Sequence, residues 1–312
     1  MERLSENKLV LVTRKTRLDD LVARFNTITQ AQFYVEHLGA DFTDYVREHS
    51  VYQQALTEAH TILSRLGRVQ RLDRALLPNF LFGPDDTVVA IGQDGLVANT
   101  LKYLTRQPLI GVNPDSHRWD GVLLPFSTKE LRLVVTEVFK QKRPIKEVTL
   151  AEVALNDGQK LLAVNDFFIG QKGHVSARYT VHIDTKIERQ SSSGIIVSTG
   201  LGSTGWMKSI LIGASQLLGQ ATNSTLNKPP FGKVPWDADY LLFSVREPFP
   251  SKTSAAGLVF GKVTQQTSLK IRSEMAENGI IFSDGIESDY LSFNSGLEAT
   301  IAPAGHKGQL VV

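Results

Sequence analysis

The chain has 312 residues, of which 42% are hydrophobic and 21% are charged, and its formal net charge is +2. These values are typical of a globular protein with two domains or one large one, and they give no reason to expect nucleic acid or an anionic membrane as a partner. The chain contains no cysteine, which excludes disulfides, thiolate zinc sites and cysteine nucleophiles. Residues 1–7 lack an apolar stretch, and no apolar run approaches the roughly 18–20 residues of a membrane span. We therefore expect a cytoplasmic protein.

The first ~140 residues alternate between strand-like and helix-like patterns. Short apolar strands are predicted at Lys8–Val12, Thr87–Ile91 and Pro108–Val112, and helices around Leu18–Phe25, Ala31–Leu38, Tyr45–Leu66, Leu96–Leu104, and from a capping box at Ser127–Glu130 to about Gln141. Uncharged β-branched strands separated by helices indicate a parallel sheet covered by helices on both faces. The sequence therefore predicts an α/β domain over residues 1–143.

Strands dominate after Lys142-Arg143-Pro144. They are predicted at Val148–Leu155 and Leu161–Ile169, which flank the hairpin signal Asn156-Asp157-Gly158, and at Val175–Ile183, Ser268–Arg272 and Tyr290–Phe293. One helix is predicted at Trp206–Leu218, and a long loop at Gln220–Val234. Residues 144–312 are therefore predicted to form a mostly antiparallel, all-β domain.

The turn around Asp94 is the first candidate site. Asp94 lies between Gly92 and Gly95, where a buried strand ends and a helix follows. Ligands of parallel sheets bind at the carboxyl ends of the strands, and glycines allow a ligand to approach the backbone closely. The alternative is that Asp94 serves only as the N-cap of the helix.

The glycine-rich segment Gly200–Gly205 is the second candidate site. Its spacing fits the dinucleotide fingerprint, but no Asp or Glu occurs between Gly194 and Val234 to hold a ribose, so a standard Rossmann site is disfavoured. A turn that holds phosphate at a helix N-terminus is one interpretation. The other is a tight turn with no ligand.

Two further strand ends carry polar residues. Asn165-Asp166 follows the apolar run Leu161–Val164, and Asp284-Gly285 follows another predicted strand end. Each is either a simple turn or a group that reaches a ribose or base. The seven histidines show no metal-ligand spacing, and the metalloprotease, P-loop and Gly-x-Ser-x-Gly motifs are absent.

Taken together, in this order and spacing, these segments resemble the NAD kinase family. That family carries Gly-Gly-Asp-Gly-Thr, then Asn-Glu, then a Ser-Thr-x-x-Gly-Ser segment and a late Asp-Gly. The counterparts here are Gly92–Leu96, Asn165-Asp166, Ser193–Trp206 and Asp284-Gly285. The opening Leu9–Arg17 and the triplet Ser192-Ser193-Gly194 are similar to the mitochondrial-type branch.

Three residues depart from the family pattern. Gln93 replaces a glycine, Leu96 replaces a threonine and Asp166 replaces a glutamate. Gln93 adds a side chain where the family leaves room for phosphates, so it either blocks ATP or donates a hydrogen bond to it. Leu96 loses a hydroxyl, and Asp166 has a shorter reach than glutamate.

The resemblance implies ATP-dependent phosphorylation of the adenosine ribose 2′-hydroxyl of NAD, which gives NADP. Asp94 would accept the hydroxyl proton, and Asn165 and Asp166 would hold the adenosine. The other implied site residues are the substrate-binding Gly92, Gln93, Gly95, Ser193, Thr204, Gly205, Trp206 and Ser209, and the turn residues Gly200, Gly202 and Ser203. Mg²⁺ would arrive with ATP, with no protein ligand assigned, and a homodimer or higher homo-oligomer is expected.

Two alternatives stay open. A lipid kinase of the diacylglycerol or sphingosine type shares the Gly-Gly-Asp-Gly-Thr turn, but the Asn165-Asp166 and Ser193–Trp206 segments argue against it. A non-catalytic relic of the family would bind NAD or NADP and transfer no phosphate, because Gln93 and Leu96 spoil the donor site.

Overall fold

A computed structural model describes residues 3–222, 233–287 and 289–312. The chain divides into two compact units. The first runs to Lys146 and also includes Gln309–Val312, and the second is Glu147–Gly308. The last residues of the chain therefore return to the first unit.

The first unit is built on a parallel sheet covered by helices. Its strands are β1 (Lys8–Thr13), β2 (Arg68–Asp73), β3 (Thr87–Ile91) and β4 (Pro108–Val112), and its helices are α1 (Arg17–Phe25), α2 (Ile28–His37), α3 (Phe42–Leu66), α4 (Asp94–Leu101) and α5 (Leu131–Phe139). The strand order in the sheet is β2-β1-β3-β4. Gln309 and Leu310 of the chain's final strand pair in parallel with β4.

Burial on both faces explains why the central strands are apolar throughout. Along each central strand, every second residue points to the same face of the sheet. On one face, Leu9 of β1, Val89 of β3 and Ile110 of β4 pack in one cluster with α3 and α5. Their neighbours along the chain, such as Val10 and Val88, point to the opposite face and are also fully buried. Helix α4 packs against β3 and β4. Full burial of such a side chain stabilises the folded state by about 1.5–3 kcal/mol, so these strands contribute strongly to the stability of this unit. The predicted parallel sheet with helices on both faces is confirmed.

β2 is the strand of this unit that the sequence did not predict. Its sequence is Arg-Val-Gln-Arg-Leu-Asp, and Leu72 is its only fully buried residue. It lies at the edge of the sheet, beside β1. An edge strand needs no continuous apolar run, so periodicity gave no signal for it.

The second unit contains two antiparallel sheets. The strands are β5 (Ile145–Leu155), β6 (Lys160–Ala163), β7 (Asp166–Gln171), β8 (Ala177–Ile183), β9 (Lys186–Ser192), β10 (Ile195–Ser198), β11 (Leu241–Val245), β12 (Phe260–Val263), β13 (Leu269–Ser273), β14 (Gly279–Ser283), β15 (Tyr290–Ser292) and β16 (Glu298–Val311). One sheet has six strands in the order β12-β11-β10-β7-β14-β15. The other contains β16-β13-β8-β9, with β5 paired to β6 and to β16.

The core of the second unit lies between its two sheets. Phe167 and Ile169 of one sheet share a buried cluster with Tyr179 and Val181 of the other. The opposite face of the six-stranded sheet, which includes Phe168, packs against helix α6 (Trp206–Thr222). The predicted antiparallel β architecture with one helix is confirmed.

The predicted single strand Leu161–Ile169 is wrong. The chain forms β6 and β7 instead, which belong to different sheets and are separated by Val164 and Asn165. The N–H groups of these two residues donate to the carboxylate of Asp284, so a side chain replaces the strand ladder at this point.

Helix α6 continues to Thr222, past its predicted end at Leu218. The first residues of the predicted loop Gln220–Val234 are therefore helical, and residues 223–232 of that loop lie outside the described part of the chain. Over the described ranges, no helix has both the length and the apolar character needed to cross a membrane.

Candidate functional site

Three chain segments meet at the carboxyl edge of the parallel sheet in the first unit. They follow β1, β3 and β4 and begin at Arg14, Gly92 and Asn113. Tyr52 of α3 joins two of them, because its hydroxyl accepts a hydrogen bond from the Arg14 N–H at 2.9 Å and donates to the carbonyl of Ile91 at 3.2 Å. This edge is where open parallel sheets bind ligands.

Asp94 is the first residue of α4, and Gln93 occupies the N-cap position. The alternative that Asp94 itself is the N-cap is therefore wrong. Its Oδ1 accepts a hydrogen bond from the N–H of Leu123 at 2.7 Å, and its Oδ2 accepts a longer one from Val122 at 3.3 Å. A carboxylate has about four acceptor positions, so these two bonds fix its orientation and leave acceptor capacity for a ligand.

The loop that binds Asp94 is held firmly against β4. At Gly111 a Cβ atom would lie only 1.9 Å from the carbonyl oxygen of Leu123, so only glycine allows this approach. The Asn113 side chain donates to the carbonyl of Trp119 at 2.9 Å, and Gly121 has a φ of +63°. The sequence analysis missed this loop, although a glycine inside a buried strand is a signal of close backbone approach.

The remaining residues of the Gly92 turn have distinct surroundings. A Cβ on Gly92 would lie 3.0 Å from Leu96 and 3.5 Å from the Arg14 side chain, whereas a Cβ on Gly95 would meet open space. Leu96 is buried beside Gly92, so its side chain packs instead of capping the helix. The side chain of Gln93 is half-buried and makes no capping hydrogen bond.

An arginine-rich network lies at the same edge, and the sequence analysis did not predict it as part of a site. Arg17 and Arg118 both pair with Asp44, and Arg14 and Arg17 both pair with Glu48. Hydrogen bonds from Arg118 and then Arg17 hold the pKa of the Asp44 carboxyl well below its usual range. With three guanidinium groups and two carboxylates, this network places a net positive charge beside Gly92, which favours an anionic ligand.

In the second unit, Asp284 organises the Asn165-Asp166 turn. Its carboxylate accepts hydrogen bonds from the N–H groups of Val164 at 3.1 Å, Asn165 at 2.6 Å and Asp166 at 3.3 Å. Its own N–H donates to the carbonyl of Asp166 at 2.9 Å. Asp284 is therefore hydrogen-bonded directly to the backbone of the predicted adenosine-binding pair.

The carboxyl group of Asp166 has a strongly perturbed pKa. Desolvation by burial raises its pKa to about 7, the negative charge of Asp284 adds to the increase, and a hydrogen bond from Ser198 opposes it. Ser198 lies directly opposite Asp166 in the pairing of β10 with β7. The Oδ1 atom of Asp166 is buried and has no hydrogen-bond partner within the described residues. A perturbed pKa together with an unsatisfied buried oxygen is typical of a binding or catalytic position.

The glycine-rich segment forms a tight turn against Asn165. A Cβ on Gly200 would lie 1.8 Å from the carbonyl oxygen of Pro235, and a Cβ on Gly202 would lie 2.1 Å from that of Asn165. Thr199 anchors this turn to the Val164–Asn165 segment, since its hydroxyl donates a hydrogen bond to the carbonyl of Val164 at 2.6 Å. Asn165, Asp166, Gly200, Gly202 and Ser203 are thus brought together in this unit.

The N–H groups of this turn are largely used inside it. Those of Ser203, Thr204 and Gly205 donate to carbonyls of residues 199–202. Thr204, Gly205 and Ser209 are exposed at the start of α6, and the Thr204 and Ser209 hydroxyls donate to the carbonyls of Leu201 and Gly205. Both hydroxyls therefore offer a ligand mainly their acceptor positions.

A cavity of about 360 Å³ lies in the second unit, on the face that carries Trp206. The Trp206 and Phe168 rings stack with centroids 6.0 Å apart, and the Arg246 guanidinium lies over Trp206 at 5.5 Å. Ser193 is exposed at this cavity, and Lys172 also lines it. Of these residues the sequence analysis identified only Ser193 and Trp206. Flat aromatic rings beside cationic side chains suit a planar, phosphorylated ligand.

Within the described ranges, no group of three or more His, Asp or Glu side chains is arranged to hold a metal ion.

The predicted site residues are divided between the two units. Gly92, Gln93, Asp94 and Gly95 lie in the first unit, and the others lie in the second.

No protein-family model and no curated protein sequence matches the chain. Solved structures do resemble it. An NAD kinase from Archaeoglobus fulgidus in complex with ATP is similar with a TM-score of 0.55 and 17% identity, over 98% of this chain and 93% of that one. The yeast NADH kinase complexed with NADH gives a TM-score of 0.59 and 15% identity, over 99% and 84%. The chain therefore has the two-domain fold of these kinases.

Proposed function

We propose that this protein is an NAD kinase, which transfers a phosphoryl group from ATP to the adenosine ribose 2′-hydroxyl of NAD. The observation that carries the proposal is a carboxylate, Asp94, held at the carboxyl edge of the parallel sheet by a fixed loop. It occurs in a chain whose structural neighbours are an NAD kinase complexed with ATP and an NADH kinase complexed with NADH.

Asp94 is the proposed proton acceptor. Phosphoryl transfer demands positioning and charge neutralisation more than covalent chemistry, and a positioned base contributes roughly 10²–10⁴-fold. The N–H groups of Leu123 and Val122 fix the carboxylate, and its remaining lone pairs are available to the 2′-hydroxyl. The hydroxyl proton would pass to Asp94 while the ribose oxygen bonds to phosphorus and the bond to ADP breaks.

Asn165 and Asp166 are the proposed adenosine contacts. The buried, unpartnered Oδ1 of Asp166 supports this role, because a ribose hydroxyl would satisfy it. Thr204, Gly205, Trp206 and Ser209 would line the rest of the adenosine site, beside the tight turn of Gly200, Gly202 and Ser203. The aromatic cavity at Ser193 and Trp206 suits the second planar ring of a dinucleotide, with Lys172 and Arg246 near its phosphates.

The donor is proposed to bind near Gly92, Gln93 and Gly95. The positive charge of the network at Arg14, Arg17 and Arg118 supports an anionic donor at this edge. Mg²⁺ would accompany ATP, bound mostly by phosphate oxygens and water, and would neutralise phosphate charge. This coordination needs no protein cage, which fits a turn that offers a single carboxylate. A homodimer or higher homo-oligomer in the cytoplasm completes the proposal.

A second candidate is the non-catalytic relic. It is favoured by one observation, namely that both oxygens of Asp94 already accept backbone hydrogen bonds. In a relic, Asp94 would serve only to hold the loop, and the second unit would still bind NAD or NADP.

A coupled assay separates the two candidates. The purified protein is incubated with NAD, ATP and Mg²⁺, and NADP is detected with an NADP-specific dehydrogenase. We expect NADP formation that depends on ATP. NAD binding by calorimetry without NADP formation from ATP, another nucleoside triphosphate or polyphosphate would favour the relic. The same assay with NADH as acceptor defines the preferred substrate.

A further inference from the structure

We propose that Asp284 is a positioning residue, which holds Asn165 and Asp166 in place for the ribose of the substrate by binding the backbone N–H groups of Val164–Asp166. This inference deepens the proposed function and rests on it as far as the substrate is concerned. The contact between Asp284 and the turn stands on geometry alone.

Three backbone hydrogen bonds converge on the carboxylate of Asp284. Three successive N–H groups, from Val164, Asn165 and Asp166, point at Asp284, and the bond from Asn165 is 2.6 Å long. Successive backbone N–H groups form a concave anion site, and bonds to a charged acceptor are about twice as strong as neutral ones. The carboxylate of Asp284 therefore acts as an internal anion that sets the conformation of this turn.

The turn lies between strands that belong to two different sheets. Val164 and Asn165 separate β6 from β7, so their N–H groups have no strand partner there. The adjacent carbonyls are held from the other side, that of Val164 by the Thr199 hydroxyl and that of Asn165 by the Thr199 N–H. With Asp284 on the N–H groups and Thr199 on the carbonyls, the turn has one defined conformation.

Asp284 also places a negative charge beside the carboxyl group of Asp166. In the described structure, the groups that act on the Asp166 carboxyl are the negatively charged Asp284 and the neutral hydroxyl of Ser198. Burial and this charge raise the pKa of Asp166 to about 7. Ribose hydroxyls that donate hydrogen bonds favour the ionised carboxylate. NAD binding should therefore release a proton near pH 7, and affinity should increase as the pH rises through that value.

Two variants and a matched control test the proposal. Asp284→Asn removes the charge and keeps a side chain that tolerates the left-handed φ of +56°, whereas Asp284→Ala removes all the side-chain acceptors. Asp184→Asn is the control, because Asp184 lies in the turn after β8 with a similar φ of +54°. Thermal unfolding shows whether each variant is folded. If Asp284→Ala does not fold, Asp284→Asn alone provides the test.

Amide hydrogen exchange is the measurement that does not depend on a substrate. In both Asp284 variants, exchange at residues 164–166 should accelerate by at least roughly tenfold, since charge-assisted bonds are lost. In the control it should match the wild type. Unchanged exchange at these three residues in folded Asp284→Asn would overturn the positioning role.

NAD affinity measured by calorimetry from pH 5.5 to 8.5 is the second readout. In Asp284→Asn the midpoint of the pH dependence should move to lower pH, because the repulsive charge is gone, and the affinity should fall. A weaker affinity with an unmoved midpoint would overturn the electrostatic part. If the wild type binds no NAD while exchange responds as expected, the proposed function fails and the positioning of the turn by Asp284 stands.

Discussion

Asp94 in the first unit and Asp284 in the second are two carboxylates in similar local settings. Each follows a buried strand, and each accepts hydrogen bonds from the backbone of a neighbouring loop. They differ in how many they accept. Asp94 accepts hydrogen bonds from two N–H groups, those of Val122 and Leu123, whereas Asp284 accepts them from three, those of Val164, Asn165 and Asp166.

This difference indicates which carboxylate is free for chemistry. Asp94 keeps acceptor positions at the edge of a sheet where ligands bind, and Asp284 is committed to a turn. In the second unit, the carboxylate with an unsatisfied oxygen is instead Asp166, whose buried Oδ1 lacks a hydrogen-bond partner in the described structure. An Asp-Gly pair at a strand end therefore does not by itself identify a reactive residue, and the number of N–H groups it receives is the better guide.

The largest expected effect is on Asp94. Asp94→Asn keeps the shape but removes the proton acceptor, so kcat for NADP formation should fall by at least ~10² while NAD affinity changes little. The check is steady-state kinetics together with calorimetry. Asp120→Asn, an exposed change in the adjoining loop, is the control and should leave kcat unaltered. Activity of Asp94→Asn within a few-fold of wild type would leave Asp94 as a loop anchor, equivalent to Asp284.

The next largest effect on kcat is expected from a change in the loop that orients Asp94. In Gly111→Ala the new Cβ would overlap the carbonyl oxygen of Leu123, so the loop must move and release Asp94. Overpacking of this kind costs about 1–3 kcal/mol, and we expect lower thermal stability together with a lower kcat. Gly213→Ala, where the added methyl meets open space in α6, is the control. Normal kcat in a destabilised Gly111→Ala protein would show that the loop does not position the carboxylate.

The sequence predicted the fold where burial was continuous. Strands β1, β3 and β4 are apolar because both of their faces are covered, and their bounds agree with prediction to within a residue. Strand β2 was missed because it lies at an edge, and the break at Val164 was missed because its cause, Asp284, lies 120 residues away in the chain. Long-range side-chain contacts of this kind leave no local periodicity.

The candidate site was predicted unevenly for the same reason. Gly202 and Asn165 stood out as motif residues, and the structure places them in direct contact. The Arg118–Asp44 pair and the Gly111–Leu123 contact did not stand out, because residues of ordinary type meet there only after folding. Local motifs thus identified the turns, and only the tertiary structure identified what holds them.

Asp166 provides a pH-dependent test of the second unit. Its pKa in the folded protein is about 7, well above the 3.8 of a free carboxyl. Between these values the folded state holds a proton that the unfolded state has lost, so stability should fall as the pH rises through this window, by at most about 1.4 kcal/mol per unit. Asp166→Asn should remove that dependence in urea unfolding experiments. An unchanged slope would mean that Asp166 titrates normally.

Asp166→Ala tests the same residue as a ligand. Loss of an acceptor for a ribose hydroxyl should weaken NAD binding by about 1–3 kcal/mol, measured by calorimetry at pH 8, where the carboxylate is ionised. The exposed turn residue Asp157, changed to Ala, is the control. Unaltered NAD affinity would reduce Asp166 to a simple turn residue.

The smallest expected effect concerns Gln93 in the first unit. It tests whether this residue contacts the phosphate donor, as distinct from the NAD contacts proposed for the second unit. Gln93 occupies the N-cap of α4 in an extended conformation with φ of −120°, so glycine is not needed there for backbone reasons, and any effect of Gln93→Gly must come from the side chain. That side chain makes no capping bond, and the N-terminus of a helix favours an anion. We expect its amide to donate to a donor phosphate, so that Gln93→Gly raises the KM for ATP by about 3–10-fold and leaves the KM for NAD unchanged. Gln93→Glu, of the same size but negatively charged, should raise it further. A gain of activity in Gln93→Gly, alone or with Leu96→Thr, would show instead that the glutamine obstructs the donor site.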